Sequence, residues 1–272
     1  MSFLYDTIPG RILLRPLVSR PVSLLAGKMM DSRLSKLLIG PFAGKCGIDR
    51  SEYLPEEYTC FNDFFCRRIR PELRPVSDAE NDLVAPCDGL LSAARITEGT
   101  VLRVKQSAFT IDTLLRDRKL ARTYEGGYCL VYRLCVNHYH RYIYFDSGKK
   151  YKNRRIGGIY HTVRPAALAV YPVYTENTRE YTVIDTKNFG RCVQMEVGAL
   201  LVGRIVNEDP LPGQVRRGEE KGHFEYGGST ILVLIPPGRA CLRDDIVKTT
   251  ESGEELPVRM GEAVGRRIDP AT

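Results

Sequence analysis

The chain carries the stretch Tyr226-Gly227-Gly228-Ser229-Thr230-Ile231-Leu232-Val233-Leu234. Its second half is an unbroken run of apolar and β-branched residues, which predicts a buried strand. Ser229 follows two glycines, and Gly228 has no Cβ that would hinder an attack of the neighbouring hydroxyl on its carbonyl. The residues therefore allow two interpretations: a glycine-rich turn before a core strand, or a serine that attacks its own chain.

The composition indicates a folded chain with a sizeable core. It has 272 residues, of which 43% are hydrophobic, enough for one large domain or one domain with an N-terminal extension. Its eight cysteines form no Cys-x-x-Cys pair and its four histidines lack zinc-site spacing, so we expect no metal. No cleavable signal peptide is evident, and we expect the cysteines to be reduced or buried.

Residues 1–47 form a basic amphipathic segment in which seven lysines and arginines stand against two aspartates. No apolar run approaches the ~20 residues that span a bilayer, and four prolines divide the segment into short pieces. We expect one or two helices that lie in a membrane interface, with cations toward anionic headgroups, or that pack on the protein's own core. Nucleic acid is disfavoured as a partner because the cations accompany no recognisable binding motif.

From residue 48 onward the pattern changes, and residues 48–272 are expected to form the main domain. We predict short helices at residues 62–67 and 109–117. The fold class is expected to be α+β and dominated by β-structure, with a helical N-terminal segment. The predicted strands cover residues 83–85, 90–96, 101–104, 128–136, 141–145, 155–163, 168–174, 181–186, 191–206 and 230–236.

Two histidines and one aspartate are candidates for acid–base chemistry with Ser229. A serine hydroxyl is a weak nucleophile and needs an adjacent general base. His138 and His140 lie in an apolar stretch that predicts a strand with both side chains on one face, although a histidine there can also be an ordinary core residue. Asp88, followed by a glycine, could orient an imidazolium as the acid of a serine triad does, or simply form a turn.

The segment before Ser229 is Gly218-Glu219-Glu220-Lys221-Gly222-His223-Phe224-Glu225-Tyr226-Gly227-Gly228. With Ser229 it resembles the signature around the self-cleaving serine of phosphatidylserine decarboxylases. Further matches follow the family's order, and the resemblance covers roughly residues 48–240. They are Phe61-Asn62-Asp63-Phe64-Phe65-Cys66-Arg67, Ala85-Pro86-Cys87-Asp88-Gly89, Tyr139-His140-Arg141, Asn177-Thr178-Arg179 and Val197-Gly198-Ala199-Leu200-Leu201-Val202-Gly203.

The resemblance implies a proenzyme that breaks the bond between Gly228 and Ser229 without a protease. Residues 1–228 and 229–272 would remain together as a heterodimer, which could dimerise further. Ser229 would become a pyruvoyl group, the covalent cofactor, and would form a Schiff base with the amine of phosphatidylserine. Loss of carbon dioxide would yield phosphatidylethanolamine. The protein would act as a peripheral enzyme on the cytoplasmic side of the cell membrane.

The resemblance also assigns roles to single residues. His140, in the Tyr-His-Arg motif, is the candidate that protonates the carbanion after carbon dioxide leaves. Asp88 is the aspartate that would assist self-cleavage through a histidine. Arg141, Arg164 and Arg179 fall at or within matched motifs and are candidates for binding the anionic substrate.

Two positions depart from the family pattern. His138 stands where many members have an acid. Ile143 stands where many members have a second histidine that is thought to assist self-cleavage. Either His140 therefore serves both cleavage and decarboxylation, or the cleavage base lies elsewhere, with His138 and His161 as the other candidates.

The sequence also allows two other functions. Some proteins that resemble this family decarboxylate soluble aromatic amino acids, but a soluble substrate gives no reason for the basic amphipathic segment. A non-catalytic lipid-binding protein on the same scaffold is suggested by Ile143. The intact Gly228-Ser229 dipeptide argues against it, because a binding module does not need that bond.

Overall fold

The computed structural model describes residues 9, 18–55, 57–104, 107–162, 167, 171–199, 204–227 and 229–268. Short 3₁₀ segments at Arg33–Leu38, Arg50–Glu52, Pro71–Leu73 and Glu98–Thr100 accompany the α-helices. The α-helices are α1 (Arg20–Met30), α2 (Ile39–Cys46), α3 (Phe61–Phe65), α4 (Ile111–Leu115), α5 (Arg118–Arg122), α6 (Val173–Glu176) and α7 (Asp244–Glu251).

The strands of the described residues are short and pair antiparallel within their sheets. They are β1 (Asp82–Val84), β2 (Gly89–Arg95), β3 (Val101–Val104), β4 (Ser107–Thr110), β5 (Tyr128–Leu134), β6 (Arg141–Ile143), β7 (Gly148–Lys150), β8 (Arg154–Ile156), β9 (Arg179–Thr186), β10 (Gly190–Gly198), β11 (Ile205–Asn207), β12 (Gly213–Val215), β13 (Glu220–Phe224), β14 (Ser229–Ile235), β15 (Ala240–Leu242), β16 (Leu256–Val258) and β17 (Ala263–Arg267).

A nine-stranded sheet forms the centre of the molecule, with the order β12-β7-β9-β10-β14-β5-β2-β16 and β8 paired to β9. Strand β14 lies in its middle, and all seven of its residues are buried. Leu232 and Leu234 belong to the core on one face, whereas Ile231 and Val233 belong to the core on the other. Because both faces are covered, β14 is apolar at nearly every position rather than at alternate ones.

A second, three-stranded sheet with the order β11-β13-β6 covers one face of this central sheet. Tyr142 of β6 and Phe224 of β13 share a core with Ile231 and Val233 of β14. Strands β1, β17 and β15 form a third sheet, and β3 and β4 form a hairpin. The covering sheet brings the Tyr-His-Arg motif and the segment before Ser229 to the same face of the central sheet.

The prediction of an α+β, β-rich chain is confirmed, and the two predicted helices appear as α3 and α4. The predicted strand at 191–206 is wrong in extent, because β10 ends at Gly198 and β11 starts at Ile205. The described end of the predicted strand 168–174 lies in helix α6, which Val173 begins. Apolar runs of this length do not distinguish a strand from a short buried helix.

The N-terminal segment divides into a packed part and an exposed part. Ile39 and Ala43 of α2 are buried against Phe61, Phe64 and Phe65, so residues 39–46 share a core with the main domain. The expectation of packing on the protein's own core holds for this stretch. Five large apolar side chains before it are exposed, namely Leu25, Met29, Leu34, Leu37 and Leu38, whereas Met30 is partly buried against the same core. No helix in the described part of the chain is long and apolar enough to cross a membrane.

Candidate active site

The chain passes from the covering sheet to the central sheet just before Ser229. Strand β13 belongs to the former and β14 to the latter. Gly227 in the connection has a φ of 142°, which glycine adopts without strain from a side chain. Gly228 lies outside the described residues. A break after residue 228 would therefore fall between two sheets and would leave the pairing of both intact.

Ser229, the first residue of β14, is fully buried. It pairs with Gly198 of β10 and Leu134 of β5, so it is held from both sides. Alternation along the strand places its side chain on the same face as Ile231, toward the covering sheet. Its Oγ has no hydrogen-bond partner among the described atoms. Buried hydroxyls are rarely left unpaired, so this atom is a candidate for reaction.

His140 lies directly before β6 in the covering sheet and is fully buried. Its imidazole packs on Phe65, with ring centroids 4.2 Å apart. Burial and, after it, the charge of Arg67 lower the pKa of His140 to about 3, whereas the main chain of Gly227 acts to a smaller extent in the opposite direction. The imidazole is therefore neutral at pH 7 and lies beside the loop that leads to Ser229.

The hydrogen bonding of His140 decides which ring nitrogen carries the proton. Nδ1 lies 2.9 Å from the carbonyl oxygen of His138, and a carbonyl can only accept a hydrogen bond. The proton is therefore on Nδ1, and Nε2 retains its lone pair. Nε2 has no hydrogen-bond partner among the described atoms. His140 thus offers a basic nitrogen beside the main chain of Gly227, two residues before Ser229.

The prediction that His138 and His140 share a strand face is wrong. Strand β5 ends at Leu134 and β6 begins at Arg141, so both histidines lie in the connection between them. His138 is only partly buried, and its Nδ1 accepts a hydrogen bond from the Cys135 amide at 3.1 Å. The six-residue connection interrupts the strand because its residues close a turn instead of extending the ladder.

The structure places Asp88 in a different environment from the one predicted. Its carboxylate accepts hydrogen bonds from Nε and Nη2 of Arg74 at 2.7 and 2.6 Å, and a third from the Met260 amide at 2.9 Å. None of its described contacts is with His140. The charge of Asp88 instead raises the pKa of His138, which burial as the larger effect lowers. Its role in self-cleavage stays a prediction.

Ile143, which stands at the position of the missing histidine, is buried in β6. Its amide donates to the carbonyl of Pro86 at 2.9 Å, and its own carbonyl accepts from Nε2 of Gln194 at 3.1 Å. Residue 143 is therefore attached to the segment that carries Asp88. A histidine at this position would lie close to that aspartate, whereas the aliphatic side chain of this protein cannot transfer a proton.

Arg141 borders a cavity of about 560 Å³ between the N-terminal segment and the covering sheet. Its Nε donates to the Cys66 carbonyl at 2.8 Å, and its Nη1 is paired with Glu220. Glu225 also borders the cavity, and its Oε2 is buried without a hydrogen-bond partner among the described atoms, while burial raises its pKa. The other lining residues are Asp31, Glu57, Tyr58, Asn62, Asp63, Cys66 and His223.

Arg179, a second arginine candidate, does not line this cavity. Arg179 is fully buried, and it donates to the carbonyls of Leu114, Thr175, Asn177 and Thr113 at 2.7 to 3.0 Å. A guanidinium has five N–H donors, so four hydrogen bonds leave little for a substrate. Burial lowers its pKa to about 10. Arg164 lies outside the described residues.

Sequence reasoning missed the residues that hold the loop before Ser229. Asn62 of α3 accepts a hydrogen bond from the Tyr226 amide at 3.2 Å and donates to Asp31 at 2.6 Å. The Tyr226 ring makes edge-to-face contacts with Phe42, Phe61 and Phe65, with centroids 4.9 to 6.1 Å apart. The matched Phe-Asn-Asp-Phe-Phe motif was the available signal, but a pattern of core phenylalanines did not reveal the partner.

A buried ion pair was also missed. Nζ of Lys221 lies 2.6 Å from Oε2 of Glu196, and both side chains are fully buried. Burial lowers the pKa of Lys221 and raises that of Glu196. Glu196 stands opposite Ile231 in the β10–β14 pair, so the ion pair ties the covering sheet to the central sheet next to the reactive strand. The signal was Glu196, a charged residue between the apolar Met195 and Val197 of β10.

One group of possible metal ligands occurs in the described residues: Glu208, Glu220 and His223, whose ligand atoms lie within 4.8 Å of one another. Glu220 is already paired with Arg141 and with Arg68. Burial and the charges of neighbouring arginines lower the pKa of His223 to about 4. A site with this many cations around it does not favour a further cation.

The described fold and site define a β-rich protein in which a buried serine begins a central strand and a neutral histidine lies beside the loop that leads to it. Comparison with known proteins places the chain in a family. The profile of the family described as phosphatidylserine decarboxylase matches residues 61–266, and the chain belongs to this family.

Three relatives illustrate how far the similarity extends. The phosphatidylserine decarboxylase proenzyme 2 of Clostridium acetobutylicum is 40% identical over 270 residues, which is 99% of this chain and 92% of the relative. The proenzyme of Ruminiclostridium cellulolyticum is 41% identical over 278 residues, with 100% and 92% covered. That of Clostridium perfringens is 39% identical over 249 residues, with 90% and 85% covered. The similarity thus includes the N-terminal segment as well as the main domain.

Proposed function

We propose that this chain is a proenzyme that cleaves itself between Gly228 and Ser229 and then decarboxylates phosphatidylserine. The observation that carries this proposal is that Nε2 of His140 and Oγ of Ser229 are both buried and have no hydrogen-bond partner among the described atoms. Membership of the family and the names of the relatives support the choice of reaction and substrate.

Cleavage would begin when Nε2 of His140 accepts the proton of the Ser229 hydroxyl, whose oxygen attacks the Gly228 carbonyl. The acyl group of Gly228 then moves from the nitrogen to the oxygen of Ser229. A base then removes the Cα proton of residue 229 as that oxygen departs with the acyl group, which leaves a carboxylate at Gly228 and a dehydroalanine at residue 229. Addition of water to the dehydroalanine releases ammonia. The result is a chain of residues 1–228 and a second chain that begins with a pyruvoyl group.

The residues present fit such a group. Position 229 is the first residue of β14, held between β10 and β5, and faces the covering sheet that carries His140. When formed, the pyruvoyl group supplies a carbonyl that takes up the substrate amine and withdraws electrons as carbon dioxide leaves. His140 is positioned to hold a proton for the carbon that loses the carboxylate, and Arg141 at the nearby cavity is positioned to meet an anionic headgroup.

The two chains would stay together as a heterodimer after cleavage. Strand β14 pairs along its whole length with β10 and β5, which both belong to the first chain. Residues of β14 also contribute to both cores. Cleavage removes one peptide bond between the sheets but none of these contacts.

We propose further that residues 20–38 lie on the cytoplasmic surface of the cell membrane. Leu34 and Leu37 expose 79% and 78% of their surface, and Leu25 and Met29 each expose 61%. Lys28, Arg33 and Lys36 are exposed among them. Apolar side chains surrounded by cations suit the interface of an anionic bilayer, where a lipid substrate is found.

The decisive test is the mass of the denatured protein. The parent should give two chains, residues 1–228 and residues 229–272, with the second lighter by one ammonia because its serine has become a pyruvoyl group. Ser229→Ala should remain one chain of 272 residues. Thr230→Ala is the matched control, because its hydroxyl is also buried but points to the opposite face of β14, and it should still cleave.

A parent protein that stays whole with an unmodified Ser229 would refute the enzyme proposal. The non-catalytic lipid-binding protein suggested by Ile143 would then account for the fold. A parent that cleaves but acts on soluble aromatic amino acids and not on phosphatidylserine would refute only the choice of substrate.

A further inference from the structure

The connection between β5 and β6 is closed by His138 in two ways. The His138 amide donates to the Cys135 carbonyl at 2.9 Å, and the Cys135 amide donates to Nδ1 of the His138 side chain at 3.1 Å. An amide can only donate, so Nδ1 of His138 must be an acceptor. The His138 imidazole is therefore neutral in this arrangement, with its proton on Nε2.

This turn determines how His140 is oriented. The carbonyl that accepts the Nδ1 proton of His140 at 2.9 Å is that of His138 itself. If the turn opens, that carbonyl moves, and nothing else among the described atoms bonds Nδ1 of His140. The imidazole could then rotate or adopt the other tautomer, and Nε2 would no longer be the basic nitrogen.

We propose that His138 is a positioning residue for His140, and that its neutral imidazole keeps Nε2 of His140 in the basic form. The inference rests on the proposed function, because it concerns the activity of His140. Nδ1 of a protonated His138 would be a donor that faces another donor, the Cys135 amide. The hydrogen bond that closes the turn would then be lost.

The surroundings of His138 define the direction of the pH dependence. Burial lowers the pKa of His138, the nearby charges of Arg133 and Arg74 lower it further, and Asp88 opposes them. Arg133 is itself paired with Glu255, and Arg74 with Asp88. The pKa in the folded protein thus lies below the usual 6.5. The hydrogen bond from the Cys135 amide to Nδ1 of His138 is fully formed above the pKa of an unfolded histidine. It is lost as the pH falls through the lower pKa of His138 in the folded protein.

Two substitutions test which atom of His138 matters. His138→Asn places an amide oxygen where Nδ1 now lies, so it should accept the same hydrogen bond without titrating. His138→Gln places its oxygen one carbon further out, near the position of Nε2, and should not close the turn. Asn137→Ala, at an exposed position of the same turn, is the control for a general disturbance.

The full chain of each variant is expressed, and its cleavage is followed by mass. The decarboxylation rate of the matured protein on phosphatidylserine vesicles is then measured from pH 8 down to pH 5. We expect His138→Asn and Asn137→Ala to remain within about threefold of the parent at pH 8. His138→Gln should lose about 10-fold or more of the rate, part of what a general base contributes. His138→Asn should also lack the fall at acid pH that the parent shows.

Two results would overturn the inference. One is a His138→Gln protein as active as His138→Asn, because the position of the acceptor would then be irrelevant. The other is an acid limb of His138→Asn identical to that of the parent. A parent that neither cleaves nor releases carbon dioxide would instead refute the proposed function on which the inference depends.

Discussion

Ser229 and His140 each bury a polar atom without a hydrogen-bond partner among the described atoms, whereas the corner at Asn177 and Arg179 satisfies its buried polar groups. Asn177 donates to the carbonyls of His161 and Gly198 at 2.8 and 2.7 Å and accepts from the His161 amide at 2.8 Å. Gly198 pairs with Ser229, so the two regions meet at one point of the sheet.

The difference distinguishes the two residues that we propose to react from residues that support the fold. A buried polar group without a partner costs ~1–3 kcal/mol, whereas a paired group is buried at little cost and has no capacity left for a ligand. Both regions match family motifs; the sequence identifies His140 as the main candidate for acid–base chemistry and Arg179 as one of three candidates for binding the substrate. Their hydrogen bonds differ. Arg179 donates to four main-chain carbonyls, whereas Nε2 of His140 has no hydrogen-bond partner among the described atoms.

The largest effect is expected at His140. His140→Ala should slow self-cleavage about 10²–10⁴-fold, the contribution of a general base, and leave mostly full-length chain. The reason is that the basic nitrogen of His140 lies beside the loop before Ser229. The rate is followed by the mass of the chain after expression.

Ile143→His, added to His140→Ala, sharpens this test. A histidine there would adjoin the segment that carries Asp88, since the residue 143 amide is bonded to Pro86. We expect partial recovery of cleavage without recovery of decarboxylation, and Asp88→Asn should remove that recovery. A His140→Ala protein that cleaves and decarboxylates at the parental rate would exclude His140 from both steps. An unpartnered buried nitrogen would then not distinguish His140 from supporting residues such as Arg179.

The sequence predicted the fold class and the reactive strand well, because β14 is a long apolar run and Gly227 marks its start. The separate strands predicted at 128–136 and 141–145 correspond to β5 and β6, but the sequence did not reveal that His138 and His140 lie in a turn between them. The hydrogen bonds of Cys135 and His138 close this turn. A hydrophobic pattern does not report such side-chain to main-chain bonds.

The candidate site was predicted in part for a similar reason. Ser229 stands in a long motif and His140 in the short Tyr-His-Arg motif, so both could be named as candidates from the sequence. Asp88 is bonded to Arg74, which no motif links to it. Arg179 is bonded to main-chain carbonyls of α4 and α6, which carry no side-chain signal in the sequence. Tyr226 and Asn62 meet only because α3 packs beneath the loop before Ser229. Long-range pairs of this kind are set by tertiary packing.

A second, smaller effect is expected at Arg179. Arg179→Met keeps the length of the side chain but leaves four carbonyls without a donor, which should cost about 3 kcal/mol or more. A change of 1 kcal/mol shifts the Tm of a domain of this size by about 2–4 °C, so Tm should fall by roughly 6–12 °C. At a temperature where the variant is folded, its KM for phosphatidylserine should equal that of the parent. A raised KM with an unchanged Tm would show instead that Arg179 binds the substrate and does not support the fold.

The smallest effect is expected at the exposed leucines of the N-terminal segment, which contrast with its buried apolar side chains. Residues 39–46 bury their apolar side chains against α3, whereas Leu34 and Leu37 remain exposed beside cations. The double variant Leu34→Asp/Leu37→Asp should bind anionic vesicles at least about 10-fold more weakly, because each fully buried leucine is worth ~1.5–3 kcal/mol and insertion into the interface is partial. Vesicle sedimentation measures the binding.

Self-cleavage of this variant should be unchanged, because neither leucine packs on the loop before Ser229. Leu211→Asp is the matched control, since Leu211 is also an exposed leucine, at 59%, but lies outside the N-terminal segment. High salt should release part of the parent from vesicles, because it screens the contribution of the cations while the apolar contribution persists. If the double variant sediments as well as the parent, the exposed leucines do not face a membrane. If it fails to cleave, the exposed part of the segment supports the site as the packed part does.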